Sequence, residues 1–158
     1  MDLRTEYRYD ADPATVFAML TDEAFLSRKA RATGALRHEA SVTRAGDQVT
    51  VRLLRVMPPD VPDFVRRFVG ETIDLEQIDV WQPAAADGSR AGSIRIAISG
   101  APVHLTGAMT LAPDGAKTTV VVDAQIRASI PFLGGRVEEA LHDAVLQAAR
   151  TEEQVGQA

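Results

Sequence analysis

Cysteine is absent from the 158 residues, which removes disulfides, thiol nucleophiles and thiolate metal ligands together. The fold must therefore stand on packing alone. Asparagine is absent too, so no N-glycosylation acceptor exists. Lysine occurs only as Lys29 and Lys117, and the basic residues as a whole are scattered. With 17 Lys and Arg against 22 Asp and Glu, the formal net charge is -5 and the pI near 5.2. Nucleic-acid binding needs clustered cations in excess of anions, so it is not expected. No apolar run approaches a transmembrane length, and insertion into a membrane is not expected either. The opening Met1-Asp2-Leu3-Arg4-Thr5-Glu6 lacks the basic-then-apolar build of a secretory signal, so a cytoplasmic location is expected.

What is present is ordinary for a globular protein: 46% hydrophobic and 25% charged residues. A chain of this length buries roughly 70% of the surface it would expose unfolded, and a single domain spanning residues 1–158 is expected. Leu3, Thr5, Tyr7 and Tyr9 alternate with charged residues, which reads as a half-buried strand with its tyrosines inward. Asp12-Pro13 then starts a short helix, and Thr21-Asp22-Glu23 a second one that stops at Gly34. Leu36, His38, Ala40 and Val42 form the next strand, joined through Ala45-Gly46-Asp47 to Val49, Val51 and Leu53. The prolines of Met57-Pro58-Pro59-Asp60-Val61-Pro62 exclude a central strand, and Val61, Phe64, Val65 and Phe68 recur at helical spacing up to Gly70.

From Glu71 to Trp81 the apolar residues change parity, with Ile73 and Leu75 on one face and Ile78 and Val80 on the other. A bulge near Glu76 or Gln77 would reconcile them. Three further strands follow, carrying Ile94 to Ile98, Val103 to Leu111, and Val120 to Ile126. After Pro131-Phe132-Leu133-Gly134-Gly135 a long amphipathic helix places Leu133, Val137, Ala140, Leu141, Ala144, Val145 and Ala148 on one stripe. Its alanines predict close seating on the sheet.

This order of elements, with Asp12-Pro13 and Val16-Phe17 after strand one, resembles the START-like or SRPBCC superfamily. Pro62-Asp63-Phe64-Val65-Arg66-Arg67-Phe68, Trp81 and the Pro131–Gly135 segment are similar to the bacterial family called domain of unknown function 2505. The resemblance implies an α+β helix-grip fold: a curved antiparallel sheet of about seven strands wrapped around a long C-terminal helix, with two short helices after strand one. It further implies a cavity of the kind that holds lipids, sterols or polyketides. It implies no established activity and carries over no catalytic residue.

Parity places His38 with Leu36, Ala40 and Val42 on the inner face, where an imidazole could orient a ligand or act as acid or base near neutral pH. The competing reading, a hydrogen-bonded histidine packed beneath the first helices, is favoured by how commonly buried polar groups are simply satisfied. His104 falls on the outer parity of its strand, and His142 on a solvated helix flank near Glu138 and Glu139, without a visible third metal ligand. Arg55 is expected to snorkel to solvent at its strand end. Glu71, Asp74, Glu76 and Asp79 read as the solvated face of a strand, and Trp81 as a packing residue. Phe64 and Phe68, one helical turn apart, would either cover a cavity as a lid or plug it.

The leading expectation is a binder of a small hydrophobic molecule, lipid or polyketide-like, contacted by Tyr7, His38, Phe64, Phe68, Ile96, Leu105, Met109, Val122, Val137, Leu141 and Val145. No cofactor, metal or catalytic residue is expected. Two alternatives stay open: a cyclase- or hydratase-type enzyme using His38 in the same cavity, and a structural or partner-binding module with a filled core.

Overall fold

The computed structural model describes residues 1–157, the side chains of Phe68 and Val69 apart. Its elements run β1 (Asp2–Tyr9), α1 (Pro13–Leu20), α2 (Glu23–Ala32), β2 (Arg37–Ala45), β3 (Gln48–Met57), α3 (Asp63–Val69), β4 (Ile73–Trp81), β5 (Arg90–Ile98), β6 (Val103–Asp114), β7 (Lys117–Ala128) and α4 (Gly134–Gln157). All strand pairings are antiparallel, in the order β1-β7-β6-β5-β4-β3-β2. Among the described residues no helix is long and apolar enough to cross a membrane.

The local causes are those the sequence announces. Asp12 caps α1 by accepting from the Thr15 N–H at 3.0 Å, with Pro13 in the first turn. Asp22 caps α2 by accepting from the Ala24 N–H at 3.2 Å, and Gly34, at φ 95°, takes the left-handed conformation just past its end. The sheet is strongly curved rather than flat. Tyr7 of β1 and Arg55 of β3 stand five places apart in the order of strands across the sheet, near opposite edges, yet both reach Glu152 of α4. A helix touched from both ends of one sheet is a gripped helix.

Four expectations need correction. First, β4 has no bulge: its register with β3 runs unbroken from Trp81 opposite Val49 to Ile73 opposite Met57. Ile73, Leu75, Gln77, Asp79 and Trp81 therefore share the inner face, and Ile78 and Val80 lie on the outer one. Second, Asp79 is consequently buried, not solvated. Third, Leu36 precedes β2 and is exposed, since the strand starts at Arg37. Fourth, the alanine stripe does not seat α4: Ala144 is exposed, and Val137 and Ala149 are the buried residues. Close approach happens instead at Gly156, where a Cβ would overlap the Tyr9 ring.

The apolar interior divides in two. One cluster gathers Val49, Val51, Trp81, Leu105, Met109, Leu111, Val120, Val122 and Ile126 beneath α1 and the C-terminal half of α4, with Phe17 meeting Trp81 edge-on at 5.9 Å between ring centroids. The other gathers Val65, Ile73, Ile98, Val103, Ala128, Ile130 and Val137 between α3 and the first turns of α4. Leu141 packs against both.

Candidate functional site

Between the two clusters, on β3 and β4, the inner face turns polar. Along β3 the sequence runs from Val51 in the first cluster through Leu53 and Arg55 to Met57 in the second; along β4 it runs from Trp81 through Asp79 and Gln77 to Leu75. Arg55, Gln77 and Asp79 are 6%, 7% and 9% exposed. Lys29 reaches in from α2, at 8%, and Glu152 from α4, its side chain at 14%.

These side chains are wired together. The Arg55 Nη2 donates to Gln77 Oε1 at 2.8 Å, and the Gln77 Nε2 lies 3.2 Å from each carboxylate oxygen of Asp79. Arg55 Nη1 lies 3.8 Å from Glu152 Oε1, and the Tyr7 hydroxyl donates to Glu152 Oε2 at 3.4 Å. Burial pushes the Asp79 carboxyl above its ordinary value, although the Lys29 charge and the Gln77 amide pull the other way. Burial raises the Tyr7 and Tyr9 phenols as well, with the Glu152 charge adding to both, so they stay protonated. Arg55 Nε is buried and finds no acceptor among the described residues. Arg55 thus does not snorkel: the curl of the sheet closes α4 over the strand end from which it would have reached solvent.

The residues expected to contact a ligand fall around this seam in different ways. Leu105, Met109 and Val122 are buried in the first cluster, and Val137 in the second. Tyr7, Ile96, Leu141 and Val145 pack against the first cluster but stay half-buried, as does Ile94. His38 is half-buried on the inner face of β2, directly opposite Arg55. Phe64 packs into the second cluster beside Leu133 and Leu141, with the Arg136 guanidinium 4.5 Å from its ring centroid. The Phe68 side chain lies outside the described residues. His104 is half-buried on β6, and His142 places Nδ1 3.2 Å from an Asp143 oxygen on an exposed stretch of α4.

Sequence reasoning missed Lys29, Gln77, Asp79 and Glu152. A signal for two of them was present, because Ile73, Leu75 and Trp81 keep one parity across the whole strand and Gln77 and Asp79 share it. Two open depressions mark the surface. One, of about 720 Å³, lies where the α1–α2 junction faces β2 and is lined by Ala18, Thr21, Asp22, Glu23, Val42 and Arg44. The other, of about 620 Å³, runs over β1, β6 and β7 around Gly107. Neither is lined by the residues expected to hold a ligand.

Solved structures of the same architecture are numerous. The Zhui aromatase/cyclase from Streptomyces sp. R1128 superposes with a TM-score of 0.62 at 17% identity, covering 99% of this chain and 90% of that one. A STAR-related lipid transfer protein from Xanthomonas axonopodis gives 0.57 at 19% identity, covering 96% and 84%. Both likenesses are of fold, and they establish the helix-grip, START-like architecture. In sequence, an uncharacterized protein of Mycobacterium tuberculosis strain H37Rv is 30% identical over 101 residues, which is 60% of this chain and 56% of that protein. The chain thus spans about half the length of the curated relatives it matches. The family model described as protein of unknown function (DUF2505) matches residues 4–158, and the chain belongs to that family.

Proposed function

We propose that this protein holds a small hydrophobic molecule between the concave face of its sheet and α4. The observation that carries the reading is the contrast within one face: Tyr7, Ile94, Ile96, Leu141 and Val145 point into the grip and remain half-buried, while Leu105, Met109 and Val122 beside them are packed. Apolar side chains that keep accessible surface inside a fold offer a ligand contact area, and the neighbouring polar seam supplies a few orienting groups. The lipid transfer protein and the aromatase/cyclase of similar fold are consistent with such a role.

The test uses N-phenyl-1-naphthylamine, an uncharged fluorophore that brightens in apolar surroundings. Delipidated protein should bind it saturably at one site, and Ile96→Trp, which fills the space beside Leu105, should abolish binding while the far-UV spectrum stays native. Unchanged binding in that variant places the probe elsewhere and refutes the reading; no binding at all favours a filled core.

A second reading rests on His38. Its place on the inner face opposite Arg55 supports a role as acid or base toward a molecule held there. Full turnover by His38→Ala of any substrate identified for the protein would remove it.

A further inference from the structure

The buried Arg55 makes unusually few hydrogen bonds for its depth. A guanidinium carries five N–H groups in a planar fork, and here one donates to Gln77 at 2.8 Å, while the nearest Glu152 oxygen, at 3.8 Å from Nη1, lies beyond hydrogen-bond reach. The Nε–H has no acceptor among the described residues. Leaving such a donor dry costs free energy comparable to a lost hydrogen bond. Leu75, opposite Arg55 on β4, offers no side-chain acceptor, and the one Gln77 acceptor, Oε1, is already engaged by Nη2.

We infer that Arg55 is the anchor for the carboxylate of an amphipathic ligand, whose hydrocarbon part lies along Ile96, Leu141 and Val145. The inference rests on the ligand-holding reading above and names the class of molecule held. A carboxylate presents two coplanar oxygens that match adjacent N–H groups of the guanidinium fork. A monoanion also suits the local charge. Lys29 and Arg55 face Asp79 and Glu152, and burial drives Asp79 toward its neutral form, which leaves the cations in excess. A dianionic phosphate would meet the Glu152 carboxylate at short range, so the single charge is the better fit. Val42, Ala40 and His38 share the inner face of β2 with Arg55 opposite His38, and Val42 at the far end of that row lines the depression facing the α1–α2 junction.

The experiment compares cis-parinaric acid with its methyl ester at pH 7.5 by fluorescence titration. The wild-type protein should bind the acid about tenfold or more tighter than the ester, the range expected of hydrogen bonds to a charged partner. Arg55→Met should lose that preference while still binding the ester. Arg55→Lys, which keeps the charge but not the fork, should fall between the two, and it guards against a folding defect in the methionine variant. Equal affinity of the wild-type protein for acid and ester would overturn the carboxylate assignment and leave the hydrophobic site standing. Failure to bind either, together with failure to bind the uncharged naphthylamine, would overturn the ligand-holding reading itself.

Discussion

Replacing Arg55 by alanine tests whether the polar seam is a dry, coupled unit. The substitution removes a charge-assisted hydrogen bond to Gln77 and leaves Glu152, 14% exposed, without its cation. Breaking a buried ion pair from one side typically costs about 3–5 kcal/mol. Relief of the unpaired Nε–H returns roughly 1–3 kcal/mol, so Arg55→Ala should cost about 0–4 kcal/mol from these two effects, with the space left behind adding to it. Arg55→Met fills that space and should cost less. Combining it with Glu152→Gln removes both charges, and exchanging a whole buried pair for neutral groups is close to neutral. The double variant should therefore be more stable than the sum of the two single effects by at least about 1 kcal/mol. Urea unfolding at 25 °C supplies all four free energies of the cycle. Additivity within about 0.5 kcal/mol would show that Arg55 and Glu152 do not act on each other. A coupling that disappears in 1 M salt would show that water reaches the pair, since buried charges are screened little.

Asp79 gives a pH signature. Its folded carboxyl holds a proton more tightly than the unfolded one, so stability should fall as pH rises from the ordinary value of 3.8 through the raised folded value. Asp79→Asn should flatten that part of the curve of urea midpoint against pH, and parallel curves would refute the burial argument. Gly156→Ala gains about 1 kcal/mol of helix propensity, yet its Cβ would overlap the Tyr9 ring and crowd Met19; a lowered thermal midpoint is expected, and a raised one would mean that the end of α4 is not seated on β1. Phe132 is fully exposed with φ 66°. Phe132→Gly removes about 1–2 kcal/mol of left-handed strain and no packing, so thermal melting should show a rise in stability.

Much of the fold was legible because each strand announces itself by alternation and each early helix by its cap. Asp12-Pro13, Asp22 and the two-residue Gly46-Asp47 turn are local devices whose effect needs no partner. The site was less legible for a physical reason. Reading charge as outward works for Arg52 and Glu76, which pair with each other on the outer face at 2.6 Å. It fails at Asp79 and Arg55, whose burial is decided by the curl that brings α2 and α4 over β3 and β4. Glu152 lies 145 residues from Tyr7, and no local pattern connects them. The apolar Ile78 and Val80 then reinforced the wrong face, since half-covered outer positions tolerate aliphatic side chains well.

The division of the interior into two apolar clusters also bears on how the molecule breathes. Cooperative opening units follow contiguous packing, and among the described residues the only side chain shared by both packed groups is Leu141. The end of the molecule formed by α3, the start of β4 and the first turns of α4 can therefore loosen while β1, β6, β7 and the last turns of α4 stay protected. Amide exchange should separate into two protection classes that divide α4 near Leu141, and the interior would become reachable by partial release at one end rather than by global unfolding.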